Sequence, residues 1–316
     1  MRRRQALLSL GVTAVALASN GLKARAQGTA EKLQIAEPAT EDTTNLYYAV
    51  KTGMFERAGL DIELFHTSSG SAAVAAVIAG TYQIAGAGFI SILSAHLRGI
   101  PLVVVAAENM HSARNPLGLL QVANDSTAKT AADLNGRLIG VPSLNDLNSL
   151  SLKAWADEHG GDWRSLKFVE IPNSVLIAAL QQHRVDAAVV QYPALSVSLS
   201  ERTTRTLADV YSAIAPTFLA GVYVSRTDWA SQHPDLLQRF NRTYIDATNY
   251  VNAHPSQTAP YVVELTGIEL SQALKMRRTT NPTVLDTSQI QPLIDAAAKY
   301  EAIPRSFPAK ELLASG

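Results

Sequence analysis

The sequence predicts an α/β protein of two lobes, each organised around a doubly wound sheet. Short apolar strand patterns alternate with helical patterns of about 10–15 residues, which is typical of parallel βαβ units. The same alternation starts again after Asn115-Pro116, which indicates a second unit of the same kind. The chain has 316 residues, of which 47% are hydrophobic, and this is enough for two domains with packed cores.

The first lobe follows from the order of its patterns. Gly59 stands where a helix C-cap belongs, and the following Leu60–Phe65 segment alternates with period two, as a strand does. Gly80 ends a later apolar helix in the same way. The predicted strands are 33–36, 60–65, 82–87 and 101–107, and the predicted helices are 45–57, 72–79 and 88–98.

The second lobe repeats this order, and the last third of the chain then becomes helical. Pro234 stands at the favoured first position of the clearest late helix, which is predicted to run to about residue 253 in a group of four. The other predicted strands are 119–122, 137–141, 166–171, 187–190 and 220–225, with helices at 146–159 and 173–183. We therefore assign 27–115 and 216–316 to lobe 1, 116–215 to lobe 2, and the hinge to 113–117 and 215–220.

Residues 1–26 have the pattern of a secretory signal peptide. Three arginines precede an apolar stretch of residues 6–18, and Ala24-Arg25-Ala26 resembles a cleavage site. The apolar stretch is shorter than the roughly 20 residues of a membrane span. The sequence therefore predicts a periplasmic protein, exported by the general or the twin-arginine route, and no lipoprotein because cysteine is absent.

Composition excludes several classes of function. With no cysteine, the chain has no disulfides, thiolate metal sites or cysteine nucleophiles. Its 27 basic and 27 acidic residues give no basic excess, so nucleic-acid binding is not expected. Glu108 and His111 are the nearest approach to a catalytic pair, but no metal-binding or nucleophile motif accompanies them. We expect no catalytic residue, no metal and no cofactor.

Polar loops recur between the carboxyl end of a strand and the start of a helix. In open α/β sheets this edge binds ligands, and helix N-terminal N–H groups favour anions or polar groups. Ser, Thr, Asn and Asp at such positions also serve simply as N-caps. Their recurrence around one predicted cleft favours a ligand-binding site, and no catalytic motif accompanies these loops. The loops are 40–44, 69–71, 88–91, 143–146 and 191–193.

Several short motifs, in order, resemble the ABC-transporter solute-binding proteins of the aliphatic-sulfonate, nitrate and taurine type. Members of that group also bind a pyrimidine precursor of thiamine. The resemblance spans nearly the whole chain after the signal peptide. It rests on residues 47–49, 53–55, 58–64, 69–70, 79–85, 98–102, 132–137, 185–188 and 233–235.

That resemblance implies the two-lobed periplasmic-binding-protein fold of type II, which closes on a small ligand by a hinge. It also implies a monomer that delivers its ligand to an ABC permease in the inner membrane. The residues expected to line the cleft by this resemblance are Thr43, Thr44, Ser69, Gly70, Ser71, Gly88, Phe89, Asn109, Ser143, Asn145, Gln191 and Tyr192.

Two departures bear on the ligand. Where many relatives have Glu-Pro, this chain has Tyr192-Pro193; the tyrosine either offers a stacking face and a hydroxyl or packs the hinge, and both remain open. Phe89 is expected to cover an apolar part of the ligand together with Tyr192. Glu41 and Asp42 would repel a small anion unless they point away from the cleft, so nitrate is disfavoured.

Two other functions remain open at this stage. One is an enzyme on the same scaffold that acts on a pyrimidine-like precursor, although the similar fungal pyrimidine synthases use a cysteine-containing site. The other is a sensory binding protein that docks on a chemoreceptor. Sulfonates, taurine, pyrimidines and aromatic acids are all compatible ligands.

Overall fold

The computed structural model describes residues 30–313, and these form two five-stranded sheets flanked by helices. The first sheet has the strand order β2-β1-β3-β10-β4, and the second has the order β7-β6-β8-β5-β9. The strands are β1 (Glu31–Glu37), β2 (Leu60–His66), β3 (Ile84–Gly88), β4 (Leu102–Ser112), β5 (Gly118–Ala123), β6 (Leu138–Val141), β7 (Lys167–Glu170), β8 (Ala187–Gln191), β9 (Thr204–Ala208) and β10 (Thr217–Arg226).

Both sheets are mixed in the same way. In the first, β1 pairs in parallel with β2 and β3, and β10 is antiparallel to β3 and β4. In the second, β6 is parallel to β7 and β8, and β5 is antiparallel to β8 and β9. The predicted α/β class with two sheets is therefore confirmed; the first sheet includes β10, which follows the second sheet in the chain, whereas the second sheet is built from the consecutive strands β5 to β9.

Twelve α-helices lie within the described residues. They are α1 (Thr44–Lys51), α2 (Met54–Arg57), α3 (Gly70–Ile78), α4 (Phe89–Leu97), α5 (Leu147–Glu158), α6 (Asn173–Gln181), α7 (Ala194–Glu201), α8 (Thr227–Gln232), α9 (Pro234–Ala253), α10 (Pro255–Thr266), α11 (Leu270–Lys275) and α12 (Gln291–Lys299). The long helix α9 has the predicted bounds. Within residues 30–313, no helix combines the length and the apolar character needed to cross a membrane.

Helix α9 shows how the sequence pattern builds the core of the first sheet. Its buried residues recur at spacings of three and four, so one face of the helix is apolar. Phe240 stacks on Phe55 of α2 with ring centroids 5.6 Å apart, and Tyr244 meets the ring of Tyr223 of β10 at 5.2 Å. This face covers β1, β4 and β10 on the side where α1 also packs.

Three histidines stabilise helix ends in the same way, as their positions suggest. His159, His233 and His254 each lie one residue past a helix, and one ring nitrogen contacts the backbone carbonyl four residues earlier at 2.8–2.9 Å. Each ring also stacks on the aromatic side chain of that earlier residue. These contacts satisfy carbonyl groups that a helix end leaves free.

The structure corrects several predicted elements. The helix predicted at 45–57 is two helices, because Gly53 takes a left-handed backbone conformation with a φ of 69° between α1 and α2. Strand β9 and helix α7 are absent from the prediction, and five helices, not four, follow β10. The short pattern of β9 has few apolar residues, so its signal is weak.

The two sheets are joined by the β4–β5 and β9–β10 connections. The predicted second crossover is placed too late, because residues 217–220 already belong to β10. The two connections touch each other through a hydrogen bond from the Ala113 N–H to the Pro216 carbonyl, 2.8 Å long. The amide of Asn115 holds the first connection to the Arg278 carbonyl at 2.9 Å. The exact division into lobes remains a prediction, and the predicted signal peptide lies outside the described residues.

Candidate functional site

A cavity of about 600 Å³ lies where helices α3 and α4 of the first sheet face the β6–α5 loop of the second. Ser71 and Ser91 line it from one side, and Ser143 and Asn145 line it from the other. The cavity continues between α3 and α4 along apolar side chains such as Val74 and Ile90. Its volume lies in the range of small-molecule sites. We call the space between the carboxyl edges of the two sheets the cleft.

The start of α3 lies in the cleft because of close backbone packing. A Cβ atom on Gly70 would lie 3.0 Å from the Cα of Ala87 in β3, so a larger residue would require the backbone to shift by a few tenths of an ångström. The hydroxyl of Ser69 accepts a hydrogen bond from the Ala72 N–H at 3.3 Å and lies 2.9 Å from the hydroxyl of Ser71. Ser69 is thus an N-cap, and the exposed Ser71 is the hydroxyl available to the cavity.

Thr43 and Thr44 do not offer free hydroxyl protons to the cleft. Both side chains are buried. The Thr43 hydroxyl donates to the Thr40 carbonyl at 2.9 Å, and the Thr44 hydroxyl donates to the Glu41 carbonyl at 2.5 Å. These bonds close the turn that leads into α1, so their role in the described structure is to shape the loop.

The predicted role of Phe89 is wrong. Its side chain is 1% exposed and belongs to the hydrophobic core, so it does not cover a ligand. Gly88, the residue before it, is exposed at the end of β3. The start of α4 therefore presents backbone groups and Ser91, not an aromatic ring, to the cleft.

The two acidic residues of the first loop behave differently. Glu41 is buried and forms an ion pair with Arg278, and it also accepts a 2.6 Å hydrogen bond from the Thr279 hydroxyl. Burial nevertheless raises the pKa of Glu41. Asp42 is half-buried and accepts a hydrogen bond from the amide of Asn109 at the end of β4. Glu41 therefore points away from the cleft, whereas Asp42 lies beside an expected site residue.

Two further carboxyl groups lie next to Asp42. Glu37 ends β1, and one of its oxygens accepts a 2.8 Å hydrogen bond from the Tyr223 hydroxyl. Burial raises the pKa of Glu37 to about 8. Burial, followed by the charges of Asp42 and Glu37, raises the pKa of Glu108 well above its usual range. We call Glu37, Asp42 and Glu108 the acidic cluster.

At the opposite edge, from the second sheet, hydrogen bonds connect several polar side chains. Asp146 caps α5 and accepts from the Ser149 N–H at 2.9 Å and from the Asn148 amide at 2.7 Å. Burial raises the pKa of Asp146 to about 6. The Gln191 amide donates to the Tyr211 hydroxyl at 3.2 Å, and that hydroxyl donates to Asn148. Gln191 thus belongs to a network that holds β8, α5 and the β9–β10 connection together.

Tyr192 contacts both halves of the molecule. It is half-buried and packs on the apolar cluster under β8 and on a second cluster formed by α10 and α11, which includes Met276. Burial raises the pKa of its hydroxyl, against a smaller effect of nearby Arg277. This contact favours the packing role left open by the sequence.

The structure separates Glu108 from His111, the two residues considered as a catalytic pair. They are three positions apart on β4, and His111 contacts the Ser212 hydroxyl at 3.1 Å within the connection between the sheets. Glu108 lies against Glu37 and Tyr223 instead. Glu37 is not among the residues predicted for the site; an acid that directly follows an apolar run within a strand, as both Glu37 and Glu108 do, is the sequence signal that identifies it.

The chain is similar in sequence to a known family and to two curated proteins. A family model described as NMT1/THI5 like matches residues 40–258. The taurine-binding periplasmic protein of Escherichia coli (strain K12) is 29% identical over 226 residues, which are 70% of this chain and 65% of that protein. The formylaminopyrimidine-binding protein of Halalkalibacterium halodurans is 26% identical over 149 residues, which are 47% of this chain and 43% of that protein. The chain thus spans less than two thirds of either curated relative.

Solved structures agree on the fold. The periplasmic aliphatic sulphonate binding protein SsuA from Escherichia coli aligns with a TM-score of 0.72 and 19% identity, over 90% of this chain and 92% of that chain. The periplasmic nitrate-binding protein NrtA from Synechocystis aligns with a TM-score of 0.73 and 12% identity, over 88% of this chain and 84% of that chain. The expected two-lobed periplasmic-binding-protein fold is confirmed.

Proposed function

The chain belongs to the NMT1/THI5-like family, and from that premise we propose that it is the periplasmic solute-binding component of an ABC importer. The observation that supports this most is the cavity of about 600 Å³, bounded by helix starts from both lobes. A small organic ligand enclosed there would hold the lobes together, since closure around a ligand is a common hinge motion. The hinge consists of the β4–β5 and β9–β10 connections.

The proposal includes the surroundings of the protein. Residues 1–26 direct export and are removed, and the chain then acts as a monomer that presents its ligand to a permease in the inner membrane. It binds its ligand without converting it; the support for this is that the named relatives are binding proteins.

The ligand belongs to one of the classes bound by the named relatives or compatible with the loops. These are sulfonates and taurine, pyrimidines, and aromatic acids. Ser71, Ser91, Ser143 and Asn145 supply polar groups to the cavity, and the helix starts add N–H groups. Leu144 is 47% exposed in the loop between Ser143 and Asn145, and Val175 is 41% exposed on α6. Both are apolar residues available to a ligand at the edge of the second sheet.

The test is a thermal-shift screen of the protein after unfolding and refolding have removed any bound ligand. The library holds alkanesulfonates, taurine, nitrate, aminopyrimidines and aromatic carboxylates. A ligand at 100 times its dissociation constant adds about 2.7 kcal/mol to the free energy of unfolding, which raises the melting temperature by several degrees. We expect one chemical class to do so and to be recovered unchanged by mass spectrometry.

Two variants locate the site. Asn145→Trp fills the cavity and is expected to abolish the shift. Asn249→Trp places the same ring on an exposed position of α9 and is the matched control. A ligand recovered in altered form would show that the protein is an enzyme. The absence of any shift across the library, or a shift that survives Asn145→Trp, would contradict the proposed site.

A further inference from the structure

The cavity of about 600 Å³ continues from the cleft along one face of α3. Its lining residues on this helix are Ser71, Val74, Ala75 and Ile78, and the last three follow the first at intervals of three, four and seven positions. Residues at these intervals share one face of a helix. One face of α3, from its second residue to its last, therefore lines the cavity.

Helix α4 presents a matching face to the same cavity. Its residues Ser91, Ser94, Ala95 and Arg98 line the cavity at the same intervals, and Arg98 is the C-cap of the helix. Both helices begin at the cleft, because they follow the strands β2 and β3, which both run parallel to β1. Seven positions of a helix span about 10 Å, so the cavity leads about that far away from the cleft. We call the space between these two helix faces the trough.

The chemistry of the trough changes along its length. Ser71 and Ser91 lie at the cleft end, in the first turns of their helices. The middle is mainly apolar, with Val74 on α3 and Ala95 on α4. Arg98 lies at the far end. A molecule that fills the trough therefore meets hydroxyl and helix N–H groups first, apolar side chains next and a guanidinium group last.

Among the described residues that line the cavity, Arg98 is the one with a charged side chain. It is exposed, and no acid within residues 30–313 forms an ion pair with it. The nearby His96 is the partner of Glu311 instead. The helix dipole favours a basic residue at this position, but it does not account for the apolar trough that leads to it. The guanidinium group thus has hydrogen-bond donors available to a ligand in the trough.

We propose that the trough binds a ligand that has an apolar chain with a carboxylate at its far end, and that Arg98 binds this carboxylate. The inference rests on the proposed function, whose site it extends. A planar guanidinium group binds a carboxylate through two parallel hydrogen bonds. The other end of the ligand lies in the cleft, where the starts of α3 and α4 favour a second anionic or polar group.

The simplest ligands of this class are α,ω-dicarboxylates such as azelate, whose extended length of about 10 Å matches the span of the trough. A chain without the second carboxylate would leave Arg98 without an anionic partner. A short dicarboxylate would leave the apolar middle of the trough in contact with water, which forfeits the gain from burying apolar surface. Chain length and the second charge are therefore both expected to determine affinity.

Matched probes test the inference by isothermal titration calorimetry of the refolded protein at low ionic strength. Azelate is compared with nonanoate, which has the same number of carbon atoms but one carboxylate, and with glutarate, which has two carboxylates on a shorter chain. We expect azelate to bind at least about tenfold more tightly than either, the effect of a charge-assisted contact. Sodium chloride at about 0.5 M should reduce the advantage over nonanoate, because salt screens an exposed ion pair.

Variants of Arg98 test the contact directly. Arg98→Gln is expected to weaken azelate binding at least about tenfold. Arg98→Glu should reverse the preference, so that 9-aminononanoate, with an amino group in place of one carboxylate, binds more tightly than azelate. Arg242→Gln removes the same charge from an exposed position of α9 and is expected to change affinity less than about twofold.

A variant in the middle of the trough tests its path. Ser94→Trp fills the space between the two helices and is expected to abolish azelate binding, whereas Asn249→Trp, on the exposed face of α9, is the matched control. Thermal melts of the free variants establish that each one folds. If Ser94→Trp does not fold, the exposed position of Arg98 decides the outcome through Arg98→Gln.

The outcomes separate this inference from the proposed function. Equal affinity for azelate and nonanoate, unchanged azelate binding in Arg98→Gln or in a folded Ser94→Trp, or no reversal in Arg98→Glu would overturn the inference and leave the binding protein standing. The same holds if azelate does not bind while a compound of the wider library does. If neither azelate nor any compound of that library binds, the proposed function fails, and the inference fails with it.

Discussion

The two edges of the cleft are built from similar sheets but treat their acidic residues in opposite ways. In the second lobe, Asp146 is enclosed by donors from Asn148 and Ser149, and Gln191 and Tyr211 extend the same network. In the first lobe, Glu37 has an oxygen without a partner, and no cation faces Glu108 among the described residues.

The two edges differ in whether the hydrogen-bonding groups of their acidic side chains are satisfied within the protein. A satisfied hydrogen-bond network stabilises its own loop and leaves no polar group that needs a hydrogen bond from a ligand. An unsatisfied cluster costs stability, and such groups persist mainly where function requires them. The hydrogen bonds of Asp146 are satisfied within its own loop, whereas one oxygen of Glu37 is not.

The largest expected effect is on the pH dependence of stability. The folded pKa of Glu37 is about 8, above its unfolded value, so its contribution is fully present below about pH 4.5 and is lost as the pH rises through 8. Glu108 of the same edge, with its pKa also raised, acts in the same direction, and so does Asp146 of the second edge, whose pKa burial raises to about 6. Thermal melts of the ligand-free protein should show a loss of about 3 kcal/mol between pH 5 and pH 8.

Glu37→Gln should flatten this dependence because the amide does not titrate. Glu56→Gln, an exposed acid on α2, should leave it unchanged. A protein that is more stable at pH 8 than at pH 5 would contradict the comparison between the edges.

A pair of glycine variants tests how tightly each edge is packed. In Gly118→Ala, the new Cβ would lie 2.6 Å from the Val190 carbonyl oxygen, which is backbone and cannot turn away. We expect a loss of about 3 kcal/mol in urea unfolding. Gly221→Ala meets the end of the Glu108 side chain at 2.5 Å, which can move, so we expect a loss of about 1 kcal/mol.

Gly88→Ala is the control, since its nearest neighbour, the Ala220 carbonyl oxygen, lies 3.8 Å from the new Cβ. Shortening the neighbour in Gly221→Ala/Glu108→Ala should recover the loss caused by Gly221→Ala. Equal losses in Gly118→Ala and Gly221→Ala, with no recovery in the double variant, would show that the two edges are packed alike.

Removing an N-cap side chain at each edge is expected to give a smaller difference in stability. Asp146→Ala removes two part-buried hydrogen bonds from a half-buried cap, and we expect a loss of about 2 kcal/mol. Ser69→Ala removes one exposed bond of 3.3 Å from a half-buried cap, with an expected loss of about 0.5 kcal/mol. Urea unfolding measures both, and a loss in Ser69→Ala that matched that in Asp146→Ala would refute the contrast.

The last expected effect is on ligand affinity and concerns Tyr192, which touches both lobes. Tyr192→Ala should weaken ligand affinity about tenfold, equivalent to about 1.4 kcal/mol, and should lower the stability of the free protein by no more than about 1 kcal/mol. Tyr192→Phe keeps the ring and is the control for the hydroxyl. Unchanged affinity in Tyr192→Ala would remove Tyr192 from the site.

The sequence alone predicts most of the fold because its elements have local signals. Pro234 opens α9 at the predicted place, and the alternating residues after Gly59 form β2. The local signal fails where it is weak, as in β9, or where one backbone conformation decides, as at Gly53 between α1 and α2.

The site is predictable only in part, because the direction of a side chain depends on the assembled sheet. Loop positions such as Ser71, Ser143 and Asn145 lie at the cavity, but the side chain of Phe89 turns into the core. Whether Glu41 opposes an anion could not be decided without Arg278, which is more than 200 residues away in the chain.

By itself the sequence determined the class of fold, the family resemblance and the edge of each sheet where polar loops gather, since periodicity and turn residues are local properties. Only the tertiary structure decided which acids are neutralised and which remain without a cation. That outcome depends on β1, β4 and β10 lying side by side, with a bulge and two glycines that bring Glu37 and Glu108 together. Charge balance is set by neighbours in space, and those neighbours come from distant parts of the chain.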